Sequence, residues 1–315
     1  MRNTHHLGVG VRLGLIAVVF SMNACTLSAA PPTPFDGDRA YRDLEEILAI
    51  GPRVAGTEGS AQTRALIRRE MDSLGIPVEE HKFQARTPFG VVEMVNVVAV
   101  IEGTQPGVIL IGNHYDTKYF PDFTFVGAND GGSTTAWMIE FARALGPKRE
   151  GHTIWLTWFD GEEAFEAWSE TDGLYGSRQM VARLREEERL DELKAMINLD
   201  MIGDCQLQVQ KDTRAPSWMV DLVWRTASDI GYREHFDVAS RAIDDDHVPF
   251  QRAGVPAMNL IDYRYGGSRA EHDRNWHTVR DRIDLVCADS LQVMGDVMYH
   301  ALERIEARLV QEAAP

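Results

Sequence analysis

Three carboxylates follow an apolar stretch of the chain that has the composition of a buried strand. Residues 154–159 read IWLTWF, and Asp160, Glu162 and Glu163 come within the next four positions. Like charges repel, and an unpaired carboxylate in a protein interior costs several kcal/mol. A bound dication would neutralise such a cluster and let the side chains lie together. The stretch therefore indicates a metal site beyond the end of a strand.

Polar side chains recur where other apolar runs end or begin. They are His114 and Asp116 after one apolar run, Asp200 within another, Asp130 before an apolar helical stretch, and His277 in the loop before the last helix. A solitary His or Asp in such a place is more often a helix cap or a turn residue. Only the combination of these positions points to chemistry.

Five of the side chains form a set of nitrogen and carboxylate groups from separate chain segments. They are His114, Asp130, Glu163, Asp200 and His277. Zn²⁺ commonly takes His, Asp and Glu ligands, and a catalytic site keeps three protein ligands and one open position. An acid next to a ligand, as Glu162 is next to Glu163, is then free for proton transfer.

Alternating helices and strands are predicted to position these residues. Periodicity predicts helices at about 39–50, 59–74, 132–145, 175–190, 216–231 and 285–309, and apolar runs predict strands at about 91–101, 107–112, 153–159, 195–201, 205–210 and 256–261. Nearly continuous apolar strands are covered on both faces. We therefore expect an α/β fold, a three-layer sandwich with a mixed, mostly parallel central sheet, and a site beyond the carboxyl ends of its strands.

Composition limits the classes of partner. The 315 residues include 32 basic and 48 acidic side chains, for a formal net charge of −16 at pH 7. After the N-terminus, no stretch concentrates Lys and Arg, which argues against a nucleic-acid partner.

The N-terminus has the architecture of a signal peptide. Two arginines precede the apolar run 13–20, which is too short to span a bilayer. The stretch resembles a bacterial lipoprotein signal with Cys25 as the lipidated residue, although Met22 and Asn23 depart from the usual pattern. A simply cleaved or unprocessed leader is the alternative. We expect an exported protein, periplasmic or anchored as a lipoprotein in a bacterial envelope, with Cys25 as its one contact with the membrane.

Composition also predicts the domain organisation. Residues 1–25 form the leader, the Pro- and Ala-rich residues 26–38 a tether, and residues 39–315 a single catalytic domain. Two cysteines, Cys205 and Cys287, lie in this domain. Export permits a disulfide between them, but two independent buried thiols are equally compatible with the sequence. We expect a monomer.

Eight motifs in the same order resemble the M28-type zinc exopeptidase superfamily, and within it the animal-type glutaminyl-peptide cyclotransferases (glutaminyl cyclases). The motifs are HYDTKYF (114–120), VGAND (126–130), FDGEEAFEAW (159–168), LYGSR (174–178), LDMIG (199–203), DDDHVPF (244–250), GVP (254–256) and WHT (276–278). The resemblance implies a zinc-exopeptidase-like fold. It also implies conversion of the N-terminal glutamine of peptides or proteins to pyroglutamate, with release of ammonia.

The resemblance implies a role for each matching residue. Asp130, Glu163 and His277 match the ligands of a single catalytic Zn²⁺, which acts as a Lewis acid. Glu162 matches the acid that shuttles the proton. Four further positions match residues around the active centre: the carboxylates Asp200 and Asp245, linked to Glu162 by hydrogen bonding, and the substrate-pocket aromatics Trp168 and Trp276.

Two other functions remain open on the residues alone. A di-zinc aminopeptidase of the same fold would use His114 and Asp200 for a second metal ion, and both residue types are present. A non-catalytic, surface-tethered binding protein could keep the fold without the chemistry. The motifs around Glu162, Arg178 and Asp245 favour the cyclase.

Two segments depart from the family pattern. Asn113 stands where animal secreted relatives often carry a disulfide cysteine, so this chain lacks that disulfide and the pose of His114 is expected to depart from the family pattern. Residues 262–275 form an extended connection that is expected to reshape the pocket entrance.

Overall fold

A computed structural model describes residue 1 and residues 32–266 and 274–313 of the chain. The strands in this part are β1 (Val78–Thr87), β2 (Gly90–Ile101), β3 (Gln105–His114), β4 (His152–Phe159), β5 (Leu193–Asp200), β6 (Val209–Asp212), β7 (Phe236–Arg241) and β8 (Ala257–Ile261). The α-helices are α1 (Gly37–Ile50), α2 (Glu58–Leu74), α3 (Thr134–Leu145), α4 (Tyr175–Glu186), α5 (Ser217–Asp229), α6 (His247–Arg252) and α7 (Ala288–Ala313).

The strands form one mixed sheet in the order β1-β2-β4-β3-β5-β8-β6-β7. The central strands β4, β3, β5 and β8 run parallel. β1 and β2 are antiparallel at one side, and at the other side β6 pairs antiparallel with β8 and parallel with β7. Because the carboxyl ends of the parallel strands share one edge, the residues that follow them come together there.

Apolar cores cover both faces of the sheet. Side chains alternate between the faces, so that Ile109 and Ile111 join one core while Leu110 joins the other. Helices α1, α2, α3, α5 and α7 cover the first face, and α4 and α6 cover the second. The molecule is therefore a three-layer α/β sandwich with a mixed, mostly parallel sheet, which confirms the predicted fold class.

Two strands that the sequence patterns did not predict lie at the edges of the sheet. β1 reads VEEHKFQART and buries only Ala85 fully, because an edge strand carries polar side chains that weaken the apolar signal. The opposite edge is β7. The predicted strand at 205–210 was wrong in its first four residues, since β6 begins at Val209 and residues 205–208 belong to a loop.

The packed structure begins inside the stretch that was predicted to be a tether, residues 26–38. Helix α1 starts at Gly37, two residues before the predicted boundary, and the buried Phe35 ring lies 5.6 Å from that of Trp137. The predicted leader and Cys25 lie outside the described residues. In the described part of the chain, no helix combines the length and the apolar character needed to cross a membrane.

A disulfide joins Cys205 to Cys287, which decides between the two alternatives left open by the sequence. Next to it, Asp204 forms a β-bridge with Val286, and the Cys287 N–H donates to the Gly203 carbonyl at 2.9 Å. These contacts tie the loop after β5 to the segment that leads into α7.

Candidate metal centre and active-site cavity

The central strands bring the predicted site residues together. His114 is the last residue of β3 and lies opposite Phe159, the last residue of β4. Glu162 and Glu163 follow β4 after a short turn, and Asp200 ends β5 on the other side of β3. The strand order therefore places these side chains at one edge of the sheet.

A first group of metal-ligand candidates consists of Asp130, Glu163 and His277. The Nε2 atom of His277 lies 2.9 Å from Glu163 Oε1 and 3.3 Å from Asp130 Oδ2. One ligand atom from each residue lies within 4.8 Å of the other two. The structure thus brings together the three residues that the resemblance assigns to a single zinc ion.

A second group shares Asp130 with the first and adds His114 and Asp200. The Nε2 atom of His114 lies 3.1 Å from Asp130 Oδ1 and 3.4 Å from Asp200 Oδ1, while Nδ1 faces the Asp116 carbonyl at 3.2 Å. Gly131 allows this approach, because a Cβ there would lie 3.0 Å from His114 Cε1. The two carboxylate oxygens of Asp130 therefore face two different histidines.

The donor set of the first group fits Zn²⁺, which binds imidazole nitrogen and carboxylate oxygen in catalytic sites. Burial alone would lower the pKa of His277, but the carboxylates of Glu163 and Asp130 outweigh it and raise this pKa to about 10. Against the effect of burial, His114 and His277 hold the pKa of Asp130 well below its usual range. A cation in this group would replace the proton on His277, because only a neutral imidazole is a metal ligand.

Glu162 lies beside this group, and its peptide is fixed by a buried carboxylate. Its N–H donates to Asp116 Oδ1 at 3.1 Å, and the Glu163 N–H donates to Asp116 Oδ2 at 3.3 Å. Burial raises the pKa of the Glu162 carboxyl well above its usual value; His114 opposes this rise, and Glu163 and Asp245 add to it. A raised pKa is the shift that general acid–base catalysis by a carboxyl group requires.

Asp200 and Asp245 also lie at the site, but no described hydrogen bond joins either of them to Glu162. The Asp245 carboxylate is occupied by Asn259 Nδ2 at 2.7 Å and by a backbone N–H. Burial raises the pKa of Asp200 to about 7, with His114 opposing and Asp245 adding to the rise. The structure differs here from the hydrogen-bonded link that the resemblance implied, and the charge of Asp245 instead raises the pKa of both Glu162 and Asp200.

A cavity of about 500 Å³ opens beside the first group and is lined by both predicted pocket aromatics. Trp168 is 44% exposed at its wall. The Trp276 ring stacks on the His277 ring with centroids 4.0 Å apart and packs against Tyr263. Trp276 therefore both lines the cavity and orients a metal-ligand candidate.

Three buried charged residues support the site and had no role assigned from the sequence: Asp116, Asp281 and Arg53. Burial raises the pKa of Asp281 to about 7, and nearby Asp130 adds to the rise. Burial lowers the pKa of Arg53 to about 10, so its guanidinium remains charged at neutral pH. Two of these residues could have been found from the sequence, because Asp116 follows a predicted strand and Asp281 lies four residues after His277. Nothing in the sequence singles out Arg53.

Of the two segments that depart from the family pattern, the structure describes the surroundings of Asn113 in full but only part of residues 262–275. Asn113 is buried and its Nδ2 donates to Thr134 Oγ1 at 3.0 Å and Thr135 Oγ1 at 3.1 Å, which ties the end of β3 to the start of α3. A polar contact therefore holds the neighbour of His114. The extended connection at 262–275 includes residues 267–273, which lie outside the described residues.

Comparison with known proteins places this geometry in a family context. Residues 96–302 match the family model described as Peptidase family M28. The chain is 30% identical over 286 residues to a glutaminyl-peptide cyclotransferase from Bothrops jararaca, a match that covers 76% of this chain and 73% of the relative.

Solved structures with the same fold agree with the sequence relatives. A glutaminyl cyclase from an Acidobacteriales bacterium superimposes with a TM-score of 0.83 at 38% identity, covering 88% of this chain and 97% of that one. A Zn-dependent exopeptidase from Parabacteroides distasonis gives a TM-score of 0.76 at 26% identity, covering 88% of this chain and 99% of that one. These similarities confirm the predicted family resemblance.

Proposed function

This chain belongs to Peptidase family M28, and we propose that it is a glutaminyl-peptide cyclotransferase. It converts the N-terminal glutamine of peptides or proteins to pyroglutamate and releases ammonia. The observation that carries the proposal is the position of Glu162, a buried acid with a raised pKa, beside the Asp130–Glu163–His277 group in an aromatic-lined cavity.

One Zn²⁺ would be held by Asp130, Glu163 and His277. The Nε2 atom of His277 lies 2.9 Å from Glu163 Oε1, and the two carboxylate oxygens of Asp130 face His277 and His114. When bound, the ion supplies Lewis acidity toward the side-chain carbonyl of the substrate glutamine. Asp116 keeps Glu163 in place through the peptide N–H, and Trp276 keeps the His277 ring in place by stacking.

The reaction is intramolecular and consumes no water. The α-amine nitrogen of the glutamine forms a bond to its own Cδ, and the bond from Cδ to the amide nitrogen breaks. Glu162 takes a proton from the attacking nitrogen and returns a proton to the leaving nitrogen, which departs as ammonia. Its raised pKa suits it to both transfers, and the buried acids Asp200 and Asp245 attract the positively charged amine.

The cavity contributes by holding the substrate folded for ring closure. Trp168 and Trp276 supply apolar surface, and Lys118 also lines the cavity, with its Nζ donating a hydrogen bond to the Ala164 carbonyl at 2.7 Å. Confining the amine close to Cδ removes rotational freedom before the reaction, which lowers the barrier. Ring closure needs a free α-amine, so the substrate class is an N-terminal glutamine and not an internal one.

We also propose how the protein is exported, anchored and assembled. Residues 1–25 act as an export leader, and a lipid on Cys25 would hold the catalytic domain at a membrane surface through residues 26–38. The catalytic domain acts as a monomer. An exported enzyme would act on secreted or envelope peptides, and the disulfide between Cys205 and Cys287 fits an oxidising compartment.

Mass spectrometry of three incubations tests the proposed reaction. Zinc-loaded protein is mixed with a Gln-initiated peptide or a matched Leu-initiated peptide, and a Glu162→Gln variant is mixed with the Gln peptide. The proposal expects a loss of about 17 Da, as ammonia, from the Gln peptide alone and a rate at least ~100-fold lower in the variant. Release of the first residue would indicate the aminopeptidase, and no change in any peptide would indicate a binding protein.

A further inference from the structure

The loop that presents Asp130 is buried and irregular. Gly127 and Gly131 have positive φ angles of 52° and 75°, and Asp130 itself has φ −79° and ψ 101°, outside the helical region. Residues 127–130 are buried. The backbone N–H and C=O groups of such a loop need partners that a helix or strand would otherwise provide.

Asp281 supplies the partners for the N–H groups of this loop. Its Oδ1 accepts a hydrogen bond from Asn129 N at 2.7 Å, and its Oδ2 accepts one from Asp130 N at 3.1 Å. The hydroxyl of Tyr265 donates to the same Oδ1 at 2.8 Å. Because Asp281 is only 1% exposed, water cannot readily replace these bonds.

Arg53 supplies the partners for the carbonyl groups of the loop. Its two terminal nitrogens donate to Val126 O at 2.6 Å and Gly127 O at 2.9 Å, and its Nε donates to Tyr115 O at 3.0 Å. Tyr115 follows His114 directly. One buried guanidinium thus joins the loop of Asp130 to the end of β3.

We propose that Asp281 and Arg53 are positioning residues for the metal centre, which fix the carboxylate of Asp130 by holding opposite sides of its loop. Asp281 comes from the segment after His277 and Arg53 from the segment before α2, so distant parts of the chain converge on residues 126–130. Neither belongs to the ligand groups around Asp130. The inference rests on the proposed binding of zinc at Asp130.

A positioning role would affect the zinc affinity of the folded protein, whereas a purely structural role would affect only the stability of the fold. If the two residues only stabilised the fold, their variants would unfold more easily but the folded molecules would bind zinc normally. If they set the pose of Asp130, the folded variants would bind zinc more weakly. Zinc affinity of folded protein is therefore the readout that separates the two roles.

The central variant is Asp281→Asn, which turns one carboxylate oxygen into an NH₂ group that cannot accept a backbone hydrogen bond. We expect zinc affinity to fall about 10- to 100-fold, as for other changes to residues that orient metal ligands. The measurement is competition with a chromophoric chelator on full-length protein whose folding is checked by circular dichroism.

Asp262→Asn is a matched control. Asp262 is equally buried, at 1% exposure, and also accepts backbone hydrogen bonds, from Gln208 N at 2.7 Å and Arg264 N at 3.0 Å. None of its described hydrogen bonds reaches the Asp130 loop, so the zinc affinity of this variant should stay within about threefold of that of the unaltered protein.

Arg53→Lys keeps the charge but offers one ammonium group in place of a planar fork that reaches three carbonyls. We expect about tenfold weaker zinc binding. Tyr265→Phe leaves both backbone bonds of Asp281 in place and should weaken zinc binding less than Asp281→Asn or Arg53→Lys.

The measured zinc affinities distinguish failure of the positioning role from failure of the proposed function. Normal zinc affinity in folded Asp281→Asn, or equal weakening in Asp262→Asn, would overturn the positioning role. If Asp281→Asn does not fold, Arg53→Lys decides by the same criterion. Failure of the unaltered protein to bind zinc would instead overturn the proposed function, and the inference with it.

Discussion

The two histidines that approach Asp130 sit in different surroundings. The His277 side chain is 20% exposed, borders the cavity and faces Glu163 and Asp130 with the same nitrogen. The His114 side chain is 2% exposed, and its second nitrogen also faces Asp116, with Nδ1 3.6 Å from the carboxylate. One histidine is open toward a ligand, and the other is enclosed by three acidic residues.

The difference indicates why one of two similar groups would hold the catalytic ion. Burial would lower the pKa of His114, but Asp116, Asp130 and Asp200 together raise it well above its usual value. Glu163 and Asp130 raise the pKa of His277 in the same way, so protonation does not distinguish the two groups. Access to the substrate does distinguish them, because His277 lines the cavity and His114 does not, so we propose the His277 side as the place for the single ion of the proposed cyclase.

The largest effect is expected from Asp130→Asn, because this change removes the one residue that both groups share. Zinc binding should be lost and the rate of cyclisation should fall about 1,000-fold or more, which corresponds to ~4 kcal/mol of transition-state stabilisation. The measurements are zinc content by elemental analysis and ammonia release. Retention of zinc at full occupancy would show that the ion lies elsewhere.

The second prediction separates the two histidines. In His277→Ala, a ligand is lost and zinc affinity should drop by about 1,000-fold, whereas in His114→Ala it should drop only about tenfold, as for a residue that orients a ligand. Competition with a chelator measures both. The order of the two effects is the decisive result, and a larger loss in His114→Ala would reverse the assignment of the groups.

The smallest effect is the pH dependence of zinc binding. The pKa of about 10 for His277 means that the metal-free protein carries a proton there at neutral pH, and zinc must displace it. Apparent zinc affinity should therefore rise about tenfold for each unit of pH between about pH 6 and 8. A rise of about a hundredfold per unit would mean that His114 also gives up its proton, as a second ion would require.

The central part of the fold was predictable from the sequence because its strands are buried on both faces. The apolar runs that predicted strands at 107–112 and 153–159 became β3 and β4, and the acids after them reached the predicted edge of the sheet. The edge strands β1 and β7 were missed, since their sequences interleave polar residues and carry no such run. The start of β6 was missed because a disulfide and a β-bridge hold the preceding residues in a loop.

Some residues of the candidate site could be predicted from the sequence, and others could not. Residues whose side chains carry the chemistry, such as Glu162 and His277, belong to motifs and could be named in advance. Arg53 could not, because it acts on backbone carbonyl groups, which every sequence provides. Its role depends on the backbone conformation of residues 126–130, which brings these carbonyl groups within reach of the guanidinium and which the sequence pattern does not predict.

The most direct test of the single-ion cyclase is a zinc titration of metal-free protein, with cyclisation of a Gln-initiated peptide followed on each sample. If Asp130, Glu163 and His277 hold the only catalytic ion, activity will reach its plateau at one equivalent of zinc per chain, and ammonia will be the sole small product. Activity that rises until a second equivalent is bound, together with release of free amino acid, would contradict this assignment and identify a two-metal aminopeptidase.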